Sequence, residues 1–251
     1  MLEEMTAFED VLALEVREGG LPHLELMDHQ GKKTTRIALP DPVYEVSFDQ
    51  NPEYDTKQIR YAYQSLAVPR SVYAYDLAKG TSTLLKEDPV PGGFDRNNYI
   101  TERVFAVAKD GTQVPISIVR KKDVAKDGNA ALHLYGYGSY GISIPTTFSP
   151  ARLTLLDRGV IFAIAHIRGG GELGKPWHEA GRLANKMNTF TDFISSAETL
   201  IANGYTKAGN LTIEGGSAGG LLMGTVLNLR PDLFKAAIVA VPFADVVNTL
   251  N

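Results

Sequence analysis

The residues best placed to do chemistry are Gly215, Ser217 and Gly219. They spell G-x-S-x-G inside the run Leu211-Thr-Ile-Glu-Gly-Gly-Ser-Ala-Gly-Gly-Leu-Leu-Met-Gly224. This is the pattern of a nucleophile elbow. A serine there sits on a strained turn, where a neighbouring side chain would collide with the backbone, so glycines flank it. Its hydroxyl projects above the sheet, and the N–H of Ala218 at the helix start can point at a developing oxyanion. Three fixed residues are a weak signal alone. Their context strengthens it: residues 211–213 read as a short buried strand, 221–229 as a helix and 235–241 as another strand. The alternative is a glycine-rich helix cap.

A second glycine motif competes. Gly169-Gly-Gly171-Glu-Leu-Gly174 matches G-x-G-x-x-G after a strand, as a dinucleotide site would. That fingerprint must open directly into a helix. Here Lys175-Pro-Trp-His178 follows, and the next helix is expected only near residue 188. The loop is read instead as a tight glycine turn at the strand's carboxyl end. His178-Glu179 begins like H-E-x-x-H, but position 182 is Arg, so no metalloprotease helix is read. His133 and His166 alternate with apolar neighbours and read as satisfied core or edge histidines. Tyr135, Tyr137 and Tyr140 lie in a glycine-rich loop after the first long buried strand. They either pack around a turn or supply the second oxyanion donor that a hydrolase elbow needs. No cofactor and no metal is expected.

The elements that must position these residues change character along the chain. Residues 1–88 read as short strands separated by turns such as Gly19-Gly20 and Lys79-Gly80. Residues 24–28 and 73–77 stand about 49 apart, and Arg36-Ile37 and Thr83-Leu84 about 47 apart. That weak period suits β-propeller blades; the alternative is an unrelated β-meander. The strands suffice for about two blades, fewer than a closed propeller needs. Asp88-Pro-Val-Pro-Gly-Gly-Phe94 marks a boundary. Beyond it, residues 99–108 and 113–120 flank Asp110-Gly111 as a hairpin. From Ala130 strand, loop and helix alternate with long apolar strands at 131–135 and 160–166, which argues for a mostly parallel α/β sheet. A helix is expected over 150–158. Another begins near residue 188 and ends at Asn203-Gly204, with Phe190, Phe193, Ile194, Ala197, Leu200 and Ile201 on one face.

Composition bounds the alternatives. The chain has 251 residues, 44% hydrophobic and 22% charged, as in an ordinary globular protein. A net charge of −4 without a basic stripe gives no reason to expect a nucleic-acid partner. There are no cysteines, so disulfides, thiolate catalysis and Cys-ligated zinc are excluded. No apolar run reaches the ~18 residues of a membrane span, and residues 1–5 do not read as a signal peptide. No membrane partner is expected, and the cytoplasm is the expected location.

Four motifs occur in order: Tyr135-Gly-Tyr-Gly-Ser-Tyr-Gly141, Arg168-Gly-Gly-Gly-Glu-Leu-Gly174, Asn185-Lys-Met-Asn-Thr-Phe190 and Gly215-Gly-Ser-Ala-Gly-Gly220. Together they resemble the prolyl oligopeptidase family of serine peptidases. The first of them, with Val241-Pro-Phe-Ala-Asp-Val-Val247, is most similar to its oligopeptidase B (protease II) branch. The resemblance runs from near residue 10 to the end. It implies a seven-bladed propeller capping an α/β-hydrolase domain, and cleavage of short peptides, after Arg or Lys in that branch. By position it makes Ser217 the nucleophile. The Ala218 N–H and the Tyr137 hydroxyl would form the oxyanion hole. Tyr140 would fall near the wall of the pocket for the residue preceding the cut.

The expected fold class is therefore α/β: a partial α/β-hydrolase domain over residues 89–251, preceded over 1–88 by the last blades of a β-propeller. Two departures qualify the resemblance. The branch often carries acids just after the tyrosine loop, where this chain reads Pro145-Thr146-Thr147, so no preference for a second basic substrate residue is expected. In α/β-hydrolases Asp or Glu and then His follow the serine, whereas all five histidines precede Ser217. The chain is read as a fragment that is itself inactive, with the remaining triad members beyond residue 251. The competing functions are a carboxylic-ester hydrolase of the same fold and a catalytically silent fragment.

Overall fold

The structure, a computed structural model, describes residues 1–245. Val246 and Val247, the end of the motif beginning at Val241, lie outside the described residues.

Residues 1–96 with 145–150 form one compact unit. It holds two four-stranded antiparallel sheets. The first is β1 (Leu2–Ala7), β2 (Leu12–Glu18), β3 (Leu21–Met27) and β4 (Thr34–Arg36), in that order. The second is β5 (Glu45–Phe48), β6 (Gln58–Ser65), β7 (Val68–Asp76) and β8 (Thr81–Glu87). In each, sequence neighbours are sheet neighbours, as in a propeller blade. Alternation drives the packing: in β6, Ile59, Tyr61 and Tyr63 are buried while Gln58 and Arg60 face solvent. One apolar cluster joins Leu24 and Leu26 to Val46, Ile59, Tyr61 and Tyr63. The Tyr61 and Tyr73 rings stack with centroids 5.3 Å apart. The sequence reading has no strand before residue 11, and β1 corrects it. All six of its residues are exposed, so an edge strand paired only to β2 leaves no hydrophobic pattern.

Residues 97–144 and those from 151 onward form the second unit. β9 (Tyr99–Val107) and β10 (Gln113–Lys121) make a hairpin whose turn places Gly111 at φ +83°. β11 (Leu132–Gly136) leads through α1 (Pro150–Leu156) to β12 (Ile161–Ala165). The glycine loop, a short α2 (Lys175–Glu179) and the long α3 (Met187–Ala202) then lead to β13 (Leu211–Gly216). The elbow, α4 (Ala218–Leu229) and β14 (Phe234–Ala240) follow. Across the sheet the order is β14-β13-β11-β12-β10-β9, with β11 to β14 parallel.

This order positions the site. The chain winds from β11 towards β12, then crosses back over β11 to β13. Right-handed crossovers then put α1 on one face and α3 with α4 on the other. The contacts agree. Arg152 of α1 lies 4.1 Å above the Phe162 ring, whereas a Cβ at Gly136 would run into Phe193 of α3 and Leu222 of α4. On the α3/α4 face Leu132, Leu134, Ile161, Leu211 and Ile213 are fully buried beneath Phe193, Leu200 and Leu222. Each such side chain contributes ~1.5–3 kcal/mol. The carboxyl ends of β11 and β13 lie where the winding reverses, and open α/β sheets form a ligand crevice there.

Candidate active site

β13 delivers the chain to Ser217, which adopts φ +56° and ψ −116° and is exposed. That backbone costs a non-glycine residue ~1–3 kcal/mol unless its surroundings hold it. They do so from both sides. The Ser217 N–H donates to the Ala240 carbonyl at 3.0 Å, and its own carbonyl accepts from Phe243 at 3.0 Å and Gly220 at 2.9 Å. A Cβ on Gly215 would collide with the Gly219 carbonyl. The turn therefore closes only with glycine at Gly215. Ala218 opens α4, so its N–H has no intrahelical acceptor.

The loop after β11 packs onto this elbow. A Cβ on Gly219 would lie 2.9 Å from the Gly136 carbonyl and 3.4 Å from Tyr137 Cδ2. Tyr137 thus sits against the first turn of α4, beside Ala218. Burial, and then the nearby Tyr140, push its phenol above the usual range. Tyr140 has φ +59° and is 70% exposed. With Ala218, Leu221, Phe243, His178 and Lys186 it lines a cavity of about 500 Å³.

The second glycine loop braces the first. The Gly141 N–H donates to the Gly169 carbonyl at 3.0 Å. Side chains at Gly169 and Gly171 would collide with the carbonyls of Gly138 and Gly141. These glycines therefore let two protein loops touch, and the space is not left for a pyrophosphate. One expectation here is corrected: a helix does follow Gly174 directly, since α2 begins at Lys175. It has only five residues and carries Pro176 in its first turn, so the sequence shows no periodicity. The loop is anchored by Arg168, whose backbone N–H, Nε and Nη2 reach the buried Asp192 carboxylate at 3.1, 2.8 and 2.6 Å. Arg168 Nη1 also reaches Asp110 at 2.5 Å, and this guanidinium holds the Asp110 carboxyl down at about 2.

The histidines fall into separate settings. His23 bonds Tyr44, and His29 the Phe8 and Glu9 carbonyls. His133 sits in β11 between Thr212 at 2.9 Å and Glu214 at 2.8 Å. His166 bonds Ser117 at 2.7 Å and Glu172 at 3.3 Å. This Ser–His–Glu chain has triad-like order, but its members are 1%, 6% and 3% exposed, so no substrate reaches it. His178 lines the cavity with Ala218, and its Nδ1–H donates to the Gly169 carbonyl at 2.8 Å. The sequence reading assigned no role to Lys186. Its Nζ donates to the Gly138 carbonyl at 2.7 Å and to Ser139 Oγ at 2.8 Å. The only signal was its place in the motif of residues 185–190. Among the described residues no helix is long and apolar enough to cross a membrane.

With this geometry in place, comparison with protein-family models gives two matches of one kind. A family model described as "Prolyl oligopeptidase, N-terminal beta-propeller domain" matches residues 1–88, and one described as "Prolyl oligopeptidase family" matches 146–251. The chain is 42% identical over 250 residues to "Dipeptidyl aminopeptidase BI" of Pseudoxanthomonas mexicana, covering 99% of this chain and 34% of that one. It is 41% identical over 249 residues to "Protease 2" of Moraxella lacunata, covering 99% and 36%. Among solved structures, oligopeptidase B from Leishmania major superposes with a TM-score of 0.88 at 42% identity, covering 99% and 36%. The chain spans about a third of the length of these relatives.

Proposed function

The chain belongs to the prolyl oligopeptidase family, and we propose that the intact protein is a serine peptidase that hydrolyses short peptides through a Ser217 acyl-enzyme. One observation carries the reading: Ser217 is exposed at φ +56° at the reversal point of the sheet, with Tyr137 packed on Gly219 beside it. In the proposed reaction Ser217 Oγ attacks the scissile carbonyl and gives its proton to a histidine base. The Ala218 N–H and the Tyr137 hydroxyl donate to the oxyanion. The amine leaves with the proton, and water then hydrolyses the ester by the same route in reverse. The base and its orienting acid belong, in this reading, to a part of the protein outside residues 1–245. Tyr140 forms a wall of the pocket for the residue before the cut. Residues 1–88 are assigned to the propeller, and 89–251 to the peptidase domain. A cytoplasmic location is part of the same proposal and rests on the resemblance.

Cleavage after Arg or Lys is supported by the resemblance to the oligopeptidase B branch. A second reading, removal of dipeptides from a free amino terminus, is favoured by the 42% identity to a protein named as a dipeptidyl aminopeptidase. A panel of short peptides with Arg, Lys, Pro or Ala before the cut, each with a free and a blocked amino terminus, separates them. The endopeptidase reading predicts highest kcat/KM for blocked Arg and Lys peptides. Turnover confined to free amino termini favours the second reading. Turnover of esters without amides points to the ester hydrolase that the elbow also fits.

A further inference from the structure

We propose that Lys186 is a positioning residue for the loop that carries Tyr137 and Tyr140; this rests on reading that loop as the oxyanion side of the site. Its two acceptors, the Gly138 carbonyl and Ser139 Oγ, lie between those tyrosines, at 2.7 and 2.8 Å. The loop needs such support. Tyr140 has φ +59°, a conformation that a non-glycine residue in a free segment would abandon. A Cβ at Gly138 would also run into Thr189 and Ile167, so the loop fits in one place only.

Two features make a purely stabilising role a poor account of Lys186. Burial pushes its ammonium down to about 8, and among the described residues no acid offsets the loss of solvation. It also stands at the N-cap of α3, where the helix dipole disfavours a cation. An apolar side chain of similar length would bury there without either cost. The charge is spent on two neutral acceptors in a loop that packs on the elbow, with the Phe190 ring 5.8 Å away. Local rules are broken in this way where function requires it. The ammonium additionally sets a positive charge on the side of the site where an oxyanion would develop.

The test compares Lys186→Met and Lys186→Arg with wild type in the intact protein, by hydrogen exchange and by steady-state kinetics. Lys186→Met is expected to speed exchange ~10-fold in residues 137–142 and to leave β11 and β13 at wild-type rates. It should lower kcat by ~10–100-fold, with KM within about threefold. Lys186→Arg should restore most of both. Where Lys186→Met does not fold, Lys186→Leu, which likewise has no donor, is read in the same way. Unchanged exchange in the loop overturns the proposal, as does equal acceleration throughout the sheet. A loosened loop with undiminished kcat, in a protein whose turnover Ser217→Ala abolishes, also overturns it. If Ser217→Ala leaves turnover intact, the serine reading fails separately, and the exchange result alone decides whether Lys186 holds the loop.

Discussion

Ser217 holds its left-handed backbone because Ala240, Phe243 and Gly220 bond it on three sides. Its hydroxyl stays exposed, which suits a nucleophile and not a helix cap. Tyr137 follows from the same packing. Replacing it by Phe in the intact protein should lower kcat by ~10²–10³, with little change in KM, if its hydroxyl bonds only the oxyanion as in the proposed reaction. A loss below about fivefold would remove Tyr137 from that role. Lys186 makes a pH prediction. Its amine is lowered from 10.5 to about 8 on folding, so between those values the unfolded chain binds more protons than the folded one. Stability should therefore rise with pH through that window. The burial penalty is fully present below about 8 and relieved above 10.5. Because the group is only partly buried, the effect is screened, and its sign is the test. Urea unfolding of wild type minus Lys186→Met at pH 7, 9 and 10 should show the difference moving in favour of wild type; a flat difference contradicts it. The serine was legible because glycines bracket it at fixed spacing. Lys186 was not, because its acceptors lie 47 and 48 residues earlier in a loop whose shape the sequence does not announce.

At the level of elements, the elbow depends on glycines whose neighbours are backbone. Gly215→Ala would drive a methyl into the Gly219 carbonyl, and should destabilise the protein by ~1–3 kcal/mol and abolish turnover. Gly224, in the same helix run, has open space where a Cβ would stand, with nothing within 4 Å. Gly224→Ala should instead stabilise by ~0.5–1 kcal/mol, and thermal unfolding of the pair checks both signs. β3, β6 and α3 were legible because they bury one face at a regular period, as Phe193, Ala197 and Leu200 do in α3, and β12 because it is a short run buried throughout. β1 and α2 were not. The first buries nothing, and the second is a single turn fixed by Gly174 and Pro176. The link from Arg168 to Asp192, 24 residues on, was equally hidden, since a buried ion pair has no periodicity to read.

For the whole molecule, an α/β alternation was legible, but not the order β14-β13-β11-β12-β10-β9, because parallel pairing is decided between strands far apart in sequence. That order brings the tyrosine loop and the elbow to adjacent strand ends. Specificity belongs to this scale too. Pro145-Thr146-Thr147 offers no carboxylate to a second basic residue, so peptides with Arg-Arg and Gly-Arg before the cut should give kcat/KM values within about tenfold. A much larger preference for Arg-Arg would place the acids elsewhere in the protein. The most direct test of the central claim is covalent. The intact protein is treated with a fluorophosphonate probe, digested, and the modified residue located by mass spectrometry. Stoichiometric labelling of the peptide containing Ser217 is expected, lost in Ser217→Ala together with peptidase activity. Labelling at another serine, or activity that survives Ser217→Ala, would contradict it.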